Sequence, residues 1–457
     1  MQALAKRNVL ILISVLAIVG IAFMKVTPEL EDSEQAYLTQ WLQWGYNDQP
    51  PLYTWLQYGF NQIFGLNAFS FAFLRALVFG ASLWVGFGFY RKVADANPDK
   101  ALFALLLWVL VPTLIDWTFR RLSHTSLMNL SVLATYWVLF LLMKKRNLKN
   151  YLLFGLVLAL GMLSKYNYVL VLASFGIGTL VDKRIAKVIF HPKMLLSVSV
   201  ALLLCWPHFN WVLEYRHLIG ERVAEKTAGS GWPVVSTLLS YLSAFLKMVW
   251  PLLLFLVWYF WKQRQRPVKR AALIIAYPLF ILFVVQAVVV LVVFLFMGIQ
   301  KVETRWLLPL FLPFVPVLIT AMKIPVEKYI PKFYLIFLLV IALQFLRTPV
   351  EKVFGIPSAV HYSFKPLHQH LQQHYPERSW LFFDITYAGN IRLLDKQKVV
   401  GTYDDFLLSE KHLKWPRVKV ITKYAHTPEW GAPTDSITEF GRFKETVYLI
   451  DETTEVK

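Results

Sequence analysis

The feature that most constrains this chain is a series of apolar runs near residues 8–26, 67–90, 101–118, 126–143, 151–164, 166–181, 194–213, 236–261, 271–298, 306–322 and 329–346. Most of these eleven approach the roughly 20 residues that a helix needs to cross about 30 Å of hydrocarbon. With 57% hydrophobic residues, a mean hydropathy of +0.50 and only 16% charged residues, the 457-residue chain is too apolar for a water-soluble globule. A mainly α, polytopic membrane protein with about eleven transmembrane helices is expected. The single cysteine, Cys205, rules out an internal disulfide and a cysteine-ligated metal site.

A formal charge of +19 invites a nucleic-acid reading, but the basic residues cluster between the apolar runs. Counted in alternate loops from a cytoplasmic N-terminus, one set holds 21 basic residues, from Lys6 and Arg7 to Lys328 and Lys332, against the four acids Asp95, Asp99, Asp182 and Glu327. This is the bias that the positive-inside rule predicts, so topology accounts for most of the charge. The N-terminus is therefore placed in the cytoplasm, and residues 27–66, 214–235 and everything beyond about 348 face outward.

The register depends on breaking residues 151–181 at Ser164 to Asn167. One continuous helix would leave Lys165 in mid-membrane at a cost of roughly 3 kcal/mol. The first apolar run follows Lys6 and Arg7 as a secretory signal would. Its flank "GIAFMKVTPE" has no small-residue cleavage site, which marks it as an anchored first helix. Residues 1–347 then form a membrane domain and 348–457 a small α/β domain, in which the helical "KPLHQHLQQHY" alternates with the β-rich "SWLFFDI", "KVVGTY", "VKVITKY" and "ETVYLI".

In the first outward loop, "ELEDSEQAYLTQWLQWGYNDQPPLYTWLQ" begins with four carboxylates in six residues. Helical periodicity over 31–44 places Glu31, Glu34 and Gln35 on one face, with Asp32 off to the side. Acids here also suit a helix N-terminus, which is a purely structural role. The Pro50-Pro51 turn and the aromatic residues after it would hold the carboxylates close to the bilayer surface.

This stretch resembles the first external loop of the bacterial relatives of protein O-mannosyltransferases and of the lipid A aminoarabinose transferase, within the GT-C superfamily. Further matching segments follow in order: "RRLSHTSLMNL", "GMLSKYNYVLVL", "WPHFNWVLEYRH" and "ETRWLLPLFLP". The resemblance implies a GT-C fold, a polyprenyl-phosphate sugar as donor, and an outward-facing carboxylate that deprotonates the hydroxyl of an envelope acceptor, whether lipid A, a glycan or a protein. Carried over, that base is Asp32 or Glu31, because the pair here is reversed from the usual Asp-Glu order. Gln49 stands where many relatives have Lys or His before the double proline. Glu34, Tyr46 and Asp48 are the candidate substrate-binding residues.

A lipid phosphate leaving group needs cations near the outer face. Arg120, Arg121, His124, Lys165 and Arg305 are the candidates, on the side that the positive-inside rule depletes. Each could also be an interfacial anchor. His361, His368, His370 and His374 lie close together without a completing ligand, so no metal site is expected and no cofactor is implied. The implied partners are the lipid-linked donor, a lipid or glycan acceptor and membrane lipids. The alternative is a polytopic flippase or transporter for a lipid-linked or acidic solute, although transporters usually keep ionisable groups at mid-membrane.

Overall fold

A computed structural model describes residues 2–47, 49–94, 97–227, 232–262, 271–315, 317, 324–405, 407, 412–440 and 445–453. The chain enters as α1 (Gln2–Phe23), followed by a short helix α2 (Leu30–Leu38), α3 (Leu52–Phe64) and α4 (Ala68–Val93). Then come α5 (Pro98–Leu106), a 3₁₀ turn over Leu107–Leu110 and α6 (Pro112–Arg120), bent against each other by 79°. The bend falls at Pro112, which has no backbone N–H to continue the preceding ladder. α7 (His124–Lys144), α8 (Leu148–Met162), α9 (Val169–Val181), α10 (Lys183–Ile189), α11 (Met194–Glu214), α12 (Arg216–Thr227), α13 (Pro233–Lys262), α14 (Ala271–Phe296), α15 (Thr304–Phe311) and α16 (Val326–Val353) complete the helical part.

Among the described residues seven helices are long and apolar enough to cross a membrane, or eight if the bent pair counts as one span. The four remaining runs of the expected eleven fall on shorter or broken elements. Residues 101–118 lie on the bent α5–α6 pair, 151–164 on the 15-residue α8, 166–181 on a 3₁₀ turn plus α9, and 306–322 begin on α15 and continue outside the described residues. A 15-residue helix is about 22 Å long, short of the hydrocarbon thickness. The expected break is present: α8 ends at Met162 and a 3₁₀ turn over Tyr166–Tyr168 precedes α9.

The membrane core is one apolar cluster built from α1, α4, α5, α7, α15 and α16, with Trp108, Tyr90, Tyr136 and Phe89 among its fully buried rings. α4 packs between α1 and α7, and α8 packs on α11.

Past α16, α17 (Lys365–His374) leads into a five-stranded sheet of β1 (Ser379–Phe382), β2 (Val400–Thr402), β3 (Arg417–Thr422), β4 (Asp435–Phe440) and β5 (Glu445–Glu452), with α18 (Ile385–Leu394) crossing from β1 to β2. The order is β2-β1-β3-β5-β4; β1 is parallel to β2 and β3, and β5 is antiparallel to β3 and β4. Four of these strands fall on the expected β-rich runs, whereas β4 lies on "DSITEF", which was not among them. The four histidines pair with acids or with each other: His361 with Glu351, His368 with Asp395, His370 with Asp435, and His374 against the His370 ring.

The sheet layer is fastened to α2. Tyr37, Leu38 and Tyr46 are buried in the same cluster as Leu367, Phe382, Ile391 and Val400. Gln40 bonds both backbone groups of Val400, donating to its carbonyl at 3.2 Å and accepting from its N–H at 3.1 Å, which occupies the open edge of β2. Gly389 lets α18 approach closely, since a Cβ there would lie 1.9 Å from the Ser33 carbonyl oxygen.

Candidate active site

α2 is only nine residues long, yet its acids and the one preceding it meet three different surroundings. Each step along a helix turns a side chain by about 100°, so neighbouring acids cannot share a partner set. Glu29, just before the helix, sits among Lys25 at 3.0 Å, Arg120 at 2.9 Å and Arg121 at 3.9 Å. Asp32 pairs with Arg75 of α4, whose guanidinium is fully buried. Glu31 accepts from the Ser123 N–H at 2.6 Å, from the Ser123 hydroxyl at 2.8 Å and from the Arg305 guanidinium at 3.3 Å.

The last of these surroundings opens into a cavity. A polar cavity of about 280 Å³ is walled by Leu30, Glu31 and Glu34 of α2, by Asn47 and Gln49 of the following turn, and by Ser123, His124 and Thr125 where α7 begins. Lys165, Arg305 and Trp306 close a second side, and Ile385 and Asp404 of the sheet layer form the roof. Several local bonds fix this assembly. Lys165 Nζ donates to Thr125 Oγ1 at 2.7 Å, and Asn167 donates to the Trp306 carbonyl at 3.0 Å, which ties the turn after α8 to the start of α15. The Leu52 N–H donates to the Leu163 carbonyl at 3.1 Å, which seats the Pro50-Pro51 turn beside Lys165. Asn47 takes the left-handed conformation (φ 48°) in a tight turn closed by Tyr46 and Gln49, and its side chain bonds the Asp404 carbonyl.

The electrostatics differ accordingly. Burial alone would push the Glu31 carboxyl up; Arg305, the Ser123 N–H and Lys165 outweigh it and hold Glu31 below the usual carboxylate range. For Asp32 burial wins over Arg75 and Lys25, and the carboxyl lies above its ordinary value. Burial also works against Glu29, but Lys25 and Arg120 carry it down to about 2, while burial lowers Lys25 to about 8.

The structure thus brings Glu31, Glu34, His124, Lys165 and Arg305 together in one cavity. Other candidates lie elsewhere. Asp32 faces α4. Arg120 and Arg121 are drawn to Glu29, with Arg120 also donating to Thr348 Oγ1 at 3.3 Å and Arg121 lying over the Trp117 ring. They do not wall the cavity, because Glu29 and Lys25 form a separate ion network behind it. Tyr46 is fully buried, its hydroxyl bonded to the Trp41 carbonyl and the Gln43 N–H. Asp48 lies outside the described residues.

Sequence reasoning missed Arg75, although a cation inside an apolar run is a recognised signal for an intramembrane partner. It also missed Lys25, Glu29, Ser123 and Thr125, as well as Asp404 and Ile385, whose approach is purely tertiary. No group of three or more metal-ligating side chains occurs among the described residues.

Residues 48–211 match the family model for dolichyl-phosphate-mannose-protein mannosyltransferases. Two structures of ArnT from Cupriavidus metallidurans superpose over 97% of both chains at 14% identity. The TM-score is 0.57 for the one bound to undecaprenyl phosphate and 0.61 for the apo form. The chain has the fold of ArnT.

Its sequence relatives agree with that reading, since the lipopolysaccharide core galacturonosyltransferases RgtB and RgtA of Rhizobium johnstonii are 29% and 26% identical over 206 and 185 residues. These alignments cover 44% and 40% of this chain and about two-fifths of each relative's length. The resemblance noted from the motifs is thus matched by the mannosyltransferase family model over residues 48–211 and by the ArnT fold over 97% of the chain.

Proposed function

We propose that this chain is an inverting glycosyltransferase that moves a sugar from a polyprenyl-phosphate carrier to a hydroxyl of an envelope acceptor, at the periplasmic face of the bacterial inner membrane. Glu31 is the general base. It takes the proton of the acceptor hydroxyl while that oxygen forms a bond to the anomeric carbon. The bond from that carbon to the phosphate oxygen breaks, and its electron pair leaves on the lipid phosphate. Lys165 and Arg305 meet the developing charge of the leaving group. Asp32 and Arg75 fix the azimuth of α2, and residues 348–457 form a periplasmic domain that roofs the cavity and bears on acceptor choice.

The observation that carries this reading is the juxtaposition of Glu31 with Arg305 at 3.3 Å in a cavity that also holds Lys165. The carboxylate can serve base-assisted attack, and the two cations can offset the charge of an anionic leaving group. Two further features support it. An apolar cavity of about 250 Å³, walled by residues such as Phe245, Met248, Leu252, Phe283 and Phe311, lies between α13, α14 and α15 and suits a hydrocarbon chain. The relatives are named for lipopolysaccharide core, and ArnT has been solved with undecaprenyl phosphate, which supports a lipid-linked donor and lipid A or another envelope glycan as the acceptor class. A flippase or transporter is less well supported, because the polar cavity sits at the starts of α7 and α15 under the sheet layer.

The test is transfer from labelled polyprenyl-phosphate sugars to lipid A or core acceptors in proteoliposomes. Wild-type protein is expected to form a covalent product, and Glu31→Gln to slow it by about 10² to 10⁴. Translocation of the lipid without any covalent product would overturn the assignment in favour of a flippase.

A further inference from the structure

The Glu31 carboxylate is held by a backbone N–H, a hydroxyl and a guanidinium, with Lys165 close by on Thr125. These are also the donors that a phosphoryl oxygen seeks, and they lie in the cavity assigned to the donor phosphate. A carboxylate bonded in this way is a poor base, because its lone pairs are committed and its charge is stabilised. We propose that the Glu31 carboxylate and the phosphate of the lipid-linked donor compete for one cradle, so that donor binding displaces Glu31 and makes it the base.

The competition follows from charge and geometry. A phosphate oxygen at Arg305 and Lys165 has the stronger claim, since phosphate offers more acceptor oxygens than a carboxylate. Glu31 sits in the first turn of α2 and already faces the cavity, so a change of side-chain rotamer frees it without moving the helix. Glu34, three residues on, walls the same cavity, while the Ser123 N–H donates to Glu31. Asp32 is kept out of the exchange by its bond to Arg75. The consequence is an ordered reaction: the acceptor hydroxyl meets a competent base only once the donor is seated.

This inference rests on the glycosyl-transfer reading, and one binding experiment separates the two. Undecaprenyl phosphate is titrated against full-length protein in nanodiscs, comparing wild type, Glu31→Gln, Glu31→Ala and Glu34→Gln. Competition expects Glu31→Gln to bind on the order of tenfold tighter than wild type, the weight of a charge-assisted bond to the competing group. Glu31→Ala, which leaves no acceptor for Ser123, is expected to match or exceed it. Glu34→Gln controls for removal of negative charge from the cavity and is expected to gain less. Equal gains for Glu31→Gln and Glu34→Gln, or no gain for the Glu31 variants, overturn the competition while leaving the donor reading standing. Absence of binding in all four proteins overturns the donor reading and the inference together.

Discussion

Glu31 and Asp32 are adjacent, both buried and both acidic, yet one faces a cavity and the other a membrane helix. Asp32 is bonded to the fully buried guanidinium of Arg75. Glu31 meets a hydroxyl, an N–H and a cation at the edge of about 280 Å³ of room. The contrast shows that a carboxylate's role here is set by the helix face it occupies. A buried ion pair can orient an element, whereas a carboxylate against a cavity can exchange partners and protons.

The sharpest way to break this contrast is to remove each charge while keeping its shape. Glu31→Gln is expected to lower the transfer rate by about 10² to 10⁴ with little change in unfolding temperature, because the amide still fits beside Ser123. Asp32→Asn is expected to do the opposite and lower the unfolding temperature first, since it leaves the fully buried Arg75 charge without its counter-ion. Equal rate losses at equal stability would abolish the division of roles.

Arg75 tests the same division from the other side. Arg75→Met leaves Asp32 unpaired and is expected to cost roughly 3–5 kcal/mol, whereas Arg75→Met with Asp32→Leu should recover most of it, because an apolar pair of similar volume replaces a buried ion pair without a large penalty. Thermal unfolding in detergent reads both. A double variant as unstable as the single one would show that Asp32 does more than balance Arg75.

Much of this arrangement was legible in the chain itself. The break at Ser164–Asn167 followed from the cost of burying Lys165, and that residue does stand at the cavity. The shared face of Glu31 and Glu34, with Asp32 turned aside, followed from helical spacing. The count of eleven spans compares with seven or eight helices of crossing length among the described residues, because hydropathy alone does not set the length of a helix such as the 15-residue α8. The helix expected over 31–44 ends at Leu38, and the loop beyond it packs against the sheet layer. Arg120 and Arg121 looked like phosphate ligands because nothing local revealed that Glu29 would claim them. Asp404 gave no signal either, since its place in the cavity depends on contacts such as that with Asn47, more than 350 residues away in sequence.

A smaller effect is expected where the sheet layer meets α2. Gly389→Ala would set a Cβ 1.9 Å from the Ser33 carbonyl and 2.9 Å from its Cα, so α18 must retreat from the helix that carries Glu31. The cost should be about 1–3 kcal/mol. If the roof holds Glu31 in place, the transfer rate falls with the unfolding temperature. A rate that stays at the wild-type value in a destabilised variant would separate the sheet layer from the chemistry.

A pH-dependent effect is expected at Glu29, which marks the structural side of the comparison. Its folded pKa is about 2 against an ordinary 4.5, because Lys25 and Arg120 outweigh the burial that opposes them. A depressed carboxylate pKa contributes stability that is complete above 4.5 and is lost as pH falls towards 2, because the unfolded chain takes up the proton first. The unfolding temperature of wild type should therefore exceed that of Glu29→Gln at neutral pH, and the gap should narrow as pH drops through this window. Lys25, lowered to about 8, is still mostly protonated at neutral pH, so the pair is intact where the gap is largest. A gap independent of pH would mean that Glu29 acts by packing alone, and the network behind the cavity would then not be held by charge.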